Sequence, residues 1–350
     1  KQERRIRHES FHARTPEESF LSAASSCRPL ALGKKKKAGY ACWWDIDFLL
    51  KLDHRTDACR DFFTSEKGVG AKYAAQGIGG WRLDVANEVS DETWQEFRES
   101  VKALDSDAVI IGEIWDDATE YLLGDMYDSV MNYPFANAIL DFCRNGKAEG
   151  FMETVMQIVE NYPKQCLDVM MNHIGTHDTE RAITKITGES CEYRDRQWQS
   201  CHNLGNNYDK GVALLKCAAV LQYTLPGVPS LYYGDEAGMQ GYKDPFNRGC
   251  YPWGNENGEL IDFYKTLGKI RRENNVFKKG NFAPISSMLG CVAFCRYDEN
   301  ESIMVIVNRN EHPITYRLPD DFKNAHSIMN SSYINGEVYI DGCSFTILAK

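Results

Sequence analysis

Short apolar runs alternate with longer amphipathic stretches between residue 40 and about residue 280. The apolar runs are nearly continuous, which is typical of strands buried on both faces. The stretch "DETWQEFRESVKAL" has helical spacing instead, because Trp94, Phe97 and Val101 recur on one face. The pattern predicts strands at 79–86, 108–115, 128–134, 166–174 and 229–238, and helices at 91–104, from 135 to about 142, 209–225 and 259–274. This alternation predicts an α/β fold with a parallel sheet covered by helices.

The helical period disappears from about residue 281. The runs "CVAFCRY", "SIMVIVN", "PITYRL", "EVYI" and "SFTILA" are short and separated by Asn, Asp, Gly and Pro. Such runs are typical of a small antiparallel β domain. We therefore divide the chain into a polar, basic segment (1–39) containing "GKKKKAG", an α/β part (40–280) and a C-terminal β-sandwich-like domain (281–350).

Charged residues occur where the predicted strands end. Arg82 and Asp84 are two positions apart in "GWRLDVANEV", so a strand would point both side chains to the same face. Glu113 ends the second strand, and the fourth runs out into His177 and Asp178. In a parallel α/β barrel the carboxyl ends of the strands converge on one mouth. Three carboxylates are therefore predicted to share a pocket.

Paired carboxylates suit the cleavage of a glycosidic bond. One carboxyl group donates a proton to the leaving oxygen, while the other attacks the anomeric carbon. Trp81 and Trp115 flank the first two strand ends and offer flat apolar faces. Single acidic residues are usually solvated or cap helices, but acids at successive strand ends favour a catalytic site.

Four motifs together resemble glycoside hydrolase family 13, the α-amylase family. They are "GWRLDVANEV", "IIGEIW", "NHIGTHDTER" and "GVPSLYYGDEAGM", in the order that the family has. The resemblance implies a (β/α)8 TIM barrel at 40–280 followed by a C-terminal antiparallel β domain. It also implies that Asp84 is the nucleophile, Glu113 the general acid/base and Asp178 a residue that binds sugar hydroxyls, with Arg82 and His177 in support.

The stretch "VANE" resembles the neopullulanase, cyclomaltodextrinase and maltogenic-amylase branch of the family. We expect Asn87 and Glu88 of this stretch to contact substrate, and Trp115 to stack on a sugar face. The family's Asp-x-x-x-Asn-His stretch and its first three barrel strands are absent from the sequence. We therefore expect an N-terminally incomplete enzyme with about strands 4–8 of the barrel, and the activity of this chain alone is an open question.

Three functions remain open at this point. The first is a retaining glycoside hydrolase that acts on α-1,4 and α-1,6 bonds of maltodextrins, cyclodextrins or pullulan. The second is a transglycosylase of the same family, and the third is an inactive truncated or non-catalytic glucan-binding relative. The segment "YKDPFNRGCYPW" either shapes a substrate subsite or is only a structured loop.

Composition narrows the partners. The net charge of −10 argues against a nucleic-acid partner, and no apolar run is long enough to cross a membrane. The start of the chain does not resemble a secretory signal, and the 12 cysteines contain no CxxC pair. We therefore expect a cytoplasmic protein with free thiols, unless a signal has been lost with a missing N-terminus. The resemblance implies no required cofactor or metal, with calcium allowed, and a homodimer if the protein carries an N-terminal β domain.

Overall fold

The computed structural model describes residues 40–46, 48–334 and 336–350. The segment 1–39, predicted to be separate and polar, lies outside the described residues. The helices are α1 (Asp57–Thr64), α2 (Val69–Ala74), α3 (Asp91–Leu104), α4 (Tyr133–Asn145), α5 (Ala148–Asn161), α6 (Lys164–Leu167), α7 (Ala182–Thr187), α8 (Arg196–Cys201), α9 (Tyr208–Thr224), α10 (Gly258–Glu273) and α11 (Val276–Lys279). The strands are β1 (Gly80–Leu83), β2 (Val109–Gly112), β3 (Ser129–Val130), β4 (Met171–Asn172), β5 (Val228–Pro229), β6 (Asn281–Met288), β7 (Cys291–Tyr297), β8 (Ser302–Asn308), β9 (Ile314–Arg317), β10 (His326–Met329), β11 (Ser332–Ile334), β12 (Glu337–Ile340) and β13 (Ser344–Ala349).

Contacts divide the chain into two compact units. The first unit contains the described residues up to Glu113 together with Leu123–Asp128. The second contains Ile114–Leu122 and Ser129–Lys350.

The first unit contains a β-α-β element. Strands β1 and β2 pair in parallel, and α3 connects them. Helix α3 has the predicted bounds and buries Phe97 and Val101 on one face. Gly80 pairs with Val109 so closely that a Cβ atom at Gly80 would lie 2.2 Å from the Val109 carbonyl oxygen. A glycine at this position therefore lets the two strands approach.

Parallel pairing recurs in the second unit. Strands β4 and β5 are parallel, and Met131 forms a parallel bridge with Met171 just beyond β3. The buried amide of Asn172 receives a hydrogen bond from Asn132 Nδ2 (2.9 Å) and donates one to the Pro226 carbonyl oxygen (2.7 Å). These bonds satisfy a polar side chain that has no access to solvent.

All five strands predicted between residues 79 and 238 are shorter than the pattern indicated. The run 128–134 keeps only Ser129–Val130 as a strand, because α4 begins at Tyr133. The run 166–174 begins as the end of α6, and only Met171–Asn172 is a strand. The prediction for 229–238 is wrong beyond Pro229, because the chain turns there with Gly234 and Gly238 at positive φ (89° and 74°). An apolar run with these glycines forms successive turns, and its apolar side chains do not distinguish turns from a strand. The helices that are not among the predicted elements are α1, α2, α5, α6, α7, α8 and α11.

The C-terminal part forms two antiparallel sheets, as predicted. The five-stranded sheet has the order β10-β13-β8-β7-β6, and the three-stranded sheet has the order β11-β12-β9. Alternate residues from both sheets form one apolar core, which is the arrangement of a sandwich. Its buried members are Cys291, Ala293, Cys295, Met304, Ile306, Leu318, Phe322, Val338, Ile340 and Leu348.

Within the part of the chain that the structure describes, none of the helices combines the length and the apolar composition that crossing a membrane requires.

Candidate active site

One guanidinium group contacts two of the predicted catalytic carboxylates in the first unit. Arg82 lies in β1, and Asp84 follows the end of that strand. The Nη1 atom of Arg82 forms an ion pair with Asp84 Oδ1, and its Nη2 atom lies 3.0 Å from Glu113 Oε2. The side chain of Asp84 is 78% exposed, whereas Glu113 is only 4% exposed. The structure therefore brings Arg82, Asp84 and Glu113 together, with one open and one buried carboxylate.

The backbone also holds Glu113 in place. Val85 adopts a left-handed conformation (φ 42°, ψ 49°), and its N–H group donates a hydrogen bond to Glu113 Oε2 (2.9 Å). The Glu113 N–H group in turn donates to the Leu83 carbonyl oxygen (2.9 Å). A β-branched residue in this conformation is strained, and such strain concentrates at functional sites.

Asn87 and Glu88 lie on the short turn after Val85. Glu88 accepts hydrogen bonds from Lys51 Nζ (2.5 Å) and from the indole Nε1 atom of Trp44 (3.2 Å). The side chain of Asn87 is exposed. Both residues are close in sequence to Asp84, but Glu88 is already engaged by Lys51 and Trp44.

His177 and Asp178 form a second polar pair, in the second unit. His177 Nε2 lies 3.1 Å from Asp178 Oδ2. The Asp178 N–H group donates to Thr176 Oγ1 (3.2 Å), and Arg248 Nη2 lies 3.4 Å from Asp178 Oδ1. The predicted neighbours His177 and Asp178 are therefore in contact, with an arginine as an additional partner.

Asn247 fixes the backbone on both sides of Asp178. Its buried Nδ2 atom donates to the carbonyl oxygens of His177 (2.8 Å) and Thr179 (2.7 Å). Sequence reasoning did not assign a role to Asn247 or Arg248. Both lie in the segment "YKDPFNRGCYPW", whose Pro- and Gly-containing composition had left open whether it shapes a site. The contacts show that this segment supports the His177–Asp178 loop.

A buried ion pair involves Arg181, which lies three residues after Asp178. Arg181 is fully buried and lies 3.5 Å from Asp235, with its guanidinium carbon 4.2 Å and 4.6 Å from the ring centroids of Tyr232 and Tyr233. Burial raises the pKa of Asp235 to about 7, and the positive charge of Arg181 opposes that shift. Arg181 belongs to the motif "NHIGTHDTER" and Asp235 to "GVPSLYYGDEAGM", and only the structure pairs them.

Trp115 forms an aromatic platform in the second unit. Its ring is stacked on Tyr133 at 3.9 Å between centroids, and it remains 46% exposed. Tyr133 also meets the edge of the His173 ring at 4.5 Å. A fixed and open indole face can stack on the apolar face of a bound ring.

Among residues 40–46, 48–334 and 336–350, no group of three or more His, Cys, Asp or Glu side chains is arranged to hold a metal ion. The absence of a required metal stays a prediction.

In the first unit, the carboxylates of Asp84 and Glu113 both contact the guanidinium group of Arg82. One buried and one exposed carboxyl group, each just after one of two neighbouring parallel strands, can divide proton transfer and nucleophilic attack between them. The family model "Alpha amylase, catalytic domain" matches residues 34–279, which is more than half of the chain.

The chain belongs to the α-amylase family. It is 41% identical over 237 residues to a cyclomaltodextrinase of Thermoanaerobacter pseudethanolicus, which covers 67% of this chain and 38% of that protein. It is 36% identical over 249 residues to neopullulanase 2 of Thermoactinomyces vulgaris, which covers 69% of this chain and 39% of that protein. The chain thus spans well under half the length of these curated relatives.

Solved structures confirm the predicted fold class, a TIM-barrel catalytic domain with a C-terminal β domain. A cyclic α-maltosyl-(1→6)-maltose hydrolase of Arthrobacter globiformis matches with a TM-score of 0.78 and 25% identity, over 93% of this chain and 69% of that chain. A cyclomaltodextrinase matches with a TM-score of 0.75 and 29% identity, over 89% of this chain and 52% of that chain. The predicted branch of the α-amylase family is therefore also confirmed, whereas the roles of the individual site residues stay predictions.

Proposed function

We propose that this α-amylase-family chain supplies the catalytic carboxylates of a retaining glycoside hydrolase that acts on α-glucans. The proposal includes α-1,4 bonds and α-1,6 bonds of maltodextrins, cyclodextrins or pullulan. Relatives named cyclomaltodextrinase, neopullulanase 2 and amylopullulanase support this substrate class. We also propose that the reaction requires no metal ion or cofactor.

The observation that carries the proposal is the bridge from Arg82 to both Asp84 and Glu113. The exposed Asp84 is available to an incoming sugar, and the Arg82 guanidinium places positive charge beside it. The buried Glu113 is fixed by Arg82 and by the Val85 N–H group. Groups that are already oriented need not reorganise when the transition state forms, which lowers the activation free energy.

The proposed reaction has two steps. Asp84 Oδ attacks the anomeric carbon while Glu113 donates a proton to the leaving glycosidic oxygen, and a covalent glycosyl ester forms on Asp84. Glu113 then removes a proton from water, whose oxygen attacks the same carbon and releases Asp84. Two inversions give retention of the α configuration.

We assign hydroxyl binding to Asp178 and His177 in the second unit. Asp178 has two carboxylate oxygens that accept hydrogen bonds, and His177 and Arg248 hold its orientation. Asn247 fixes the loop that carries both residues. A hydroxyl group held by an oriented carboxylate restrains the sugar ring that carries it.

The test is to trap the covalent step. The 350-residue chain is incubated with a maltosyl fluoride that carries a second fluorine at C5, which slows release of the ester. We expect the added mass on the peptide that contains Asp84, and no added mass in Asp84→Asn. Asp107→Asn, at an exposed position of the same unit, is the matched control and should label normally.

Labelling of another residue contradicts the nucleophile assignment. Absence of both labelling and maltodextrin cleavage shows that the chain itself is an inactive or non-catalytic glucan-binding relative. Transglycosylation uses the same ester with a sugar hydroxyl in place of water, so products formed from maltotriose decide between transfer and hydrolysis.

We further propose a cytoplasmic location, supported by buried free thiols such as Cys143 and Cys217. A homodimer through an N-terminal β domain stays a prediction.

A further inference from the structure

The loop that carries Asp178 is held at both ends by one buried carboxylate. This loop, residues 175–181, lies between β4 and α7 in the second unit. At its last residue, Arg181 forms an ion pair with Asp235 (3.5 Å). At its first residue, a Cβ atom on Gly175 would lie only 2.5 Å from Asp235 Oδ2, so the carboxylate packs directly against the backbone there. Asp235 therefore contacts the points at which the loop leaves and re-enters the core.

Arg181 is fixed through its backbone as well as its side chain. Its N–H group donates a hydrogen bond to the Gly241 carbonyl oxygen (2.9 Å), and its Nη1 atom donates to the Tyr233 carbonyl oxygen. The rings of Tyr232 and Tyr233 lie against its guanidinium group. A planar guanidinium group with these partners is restricted to one orientation. The end of the loop is therefore fixed relative to the turn that carries Asp235.

Burial prevents the ion pair from touching a substrate. Asp235 is only 2% exposed and Arg181 is fully buried, whereas the side chain of Asp178 is 32% exposed. Asp235 Oδ2, the oxygen that meets Gly175, has no hydrogen-bond partner among the described residues, so it acts on the loop by packing. Any effect of Asp235 on a bound sugar must pass through the loop.

Stability alone is a weak reason for a buried ion pair at this place. Removing two charges from water costs free energy that their mutual attraction only partly returns, and an apolar pair of similar volume is often at least as stable. A charge-assisted contact is directional, whereas an apolar contact is not. The ion pair therefore supplies a fixed geometry at the base of the loop, which suits the positioning of the groups that the loop carries.

We propose that Asp235 and Arg181 are positioning residues for Asp178. They hold the two ends of the loop, and Asn247 holds its middle, so that His177 Nε2 and Asp178 Oδ2 meet at 3.1 Å. The consequence for sugar binding rests on the proposed function, in which Asp178 binds a hydroxyl group. The positioning itself is a property of the free chain and can be measured without any sugar.

The ring nitrogens of His177 report the orientation of Asp178. The chain is labelled with nitrogen-15 in its histidine rings, and the His177 signals in the NMR spectrum are identified by their loss in His177→Gln. Asp178→Asn gives the position of these signals when the carboxylate is absent. Spectra are recorded without sugar at pH 8, where Asp235 is ionised, since burial raises its pKa to about 7.

Three variants test the ion pair and its contact with the loop. Asp235→Asn removes the charge, and Gly175→Ala places a methyl group against the carboxylate without changing any charge. Arg181→Met/Asp235→Leu replaces the pair by apolar side chains. In all three we expect the His177 signals to move toward their position in Asp178→Asn. We also expect the backbone amides of the loop to exchange hydrogen at least about tenfold faster than in wild type.

Asp128→Asn is the matched control. Asp128 is a carboxylate of the first unit that forms ion pairs with Arg98 and Lys102 (both 2.8 Å). Its substitution removes a paired charge from another part of the chain and should leave the His177 signals and the exchange of the loop unchanged. A shift in Asp128→Asn equal to that in Asp235→Asn would show that the signals follow general destabilisation, and it would overturn the proposal.

The apolar double variant separates positioning from stability. If the ion pair served stability alone, Arg181→Met/Asp235→Leu would return the His177 signals to their wild-type position. That result overturns the proposal, as does a wild-type position in Gly175→Ala should the double variant not fold. Labelling of Asp84 tests the proposed function separately, so displaced His177 signals in a chain that is not labelled support the positioning and contradict the hydrolase.

Discussion

Protonation of His173 should destabilise the folded chain at acid pH. The His173 ring is 2% exposed, and neither ring nitrogen has a hydrogen-bond partner among the described residues. Burial lowers the pKa of His173 to about 4, from 6.5 for an exposed histidine. The folded state therefore holds the neutral ring, whereas the unfolded chain takes up a proton below pH 6.5.

The sign and size of the effect follow from these two values. The contribution of neutral His173 to the free energy of unfolding is fully present above the pKa that the residue has in the unfolded chain. It is lost as the pH drops from about 6.5 to about 4. The pKa difference is about 2.5, and each unit corresponds to ~1.36 kcal/mol, so the full loss is about 3.4 kcal/mol. Between pH 7 and pH 5 the loss from His173 alone is about 2 kcal/mol.

His173→Leu removes the titration and keeps an apolar side chain of similar size. We expect wild type to lose about 2 kcal/mol more free energy of unfolding between pH 7 and pH 5 than His173→Leu does. Urea unfolding followed by circular dichroism at the two pH values measures this difference. Comparing pH values within each protein cancels the change in packing that the substitution causes.

Ile174→Val is the matched control, because Ile174 is the buried neighbour and does not titrate. It should cost ~0.5–1.5 kcal/mol at both pH values. If wild type and His173→Leu lose stability in parallel between pH 7 and pH 5, His173 is not held neutral by burial and the reasoning is wrong.

Two further predictions concern the buried ion pair and the strained turn. Arg181→Met should destabilise the chain by about 3–5 kcal/mol because Asp235 is left buried without its counter-ion, and Arg181→Met/Asp235→Leu should recover much of that loss in urea unfolding. If Arg181→Met alone were as stable as wild type, Arg181 would not offset the cost of burying Asp235. At Val85, glycine should give a chain about 1 kcal/mol more stable than alanine does, since only glycine adopts positive φ without strain. Equal stability of Val85→Gly and Val85→Ala would contradict strain at this turn.

Local patterns were sufficient where neighbours in sequence decide the structure. The apolar spacing of 91–104 gave both ends of α3, because one buried face and a run of good helix formers favour a single conformation. The i, i+2 spacing placed Arg82 and Asp84 in contact. The β runs after residue 281 became the strands of two antiparallel sheets. The motif order also indicated the α-amylase family, which the comparison confirms.

Local patterns failed where glycines, or contacts between residues far apart in sequence, decide the conformation. The run 229–238 is apolar enough for a strand, yet it turns at Gly234 and Gly238. The sequence had no signal that Asn247 would fix the His177 carbonyl from 70 positions away. It also had no signal that Arg181 would be fully buried against Asp235.

The sequence by itself therefore determined the family, the α/β-then-β organisation and the identity of the candidate carboxylates. Only the tertiary structure decided that Arg82 contacts Asp84 and Glu113 at once, and that Val85 holds Glu113 through its N–H group. Periodicity reports which face of an element is buried, since that depends on residues a few positions apart. The contacts that orient Glu113 join positions 28 or more residues apart, and these depend on how β1 and β2 pair in the folded chain.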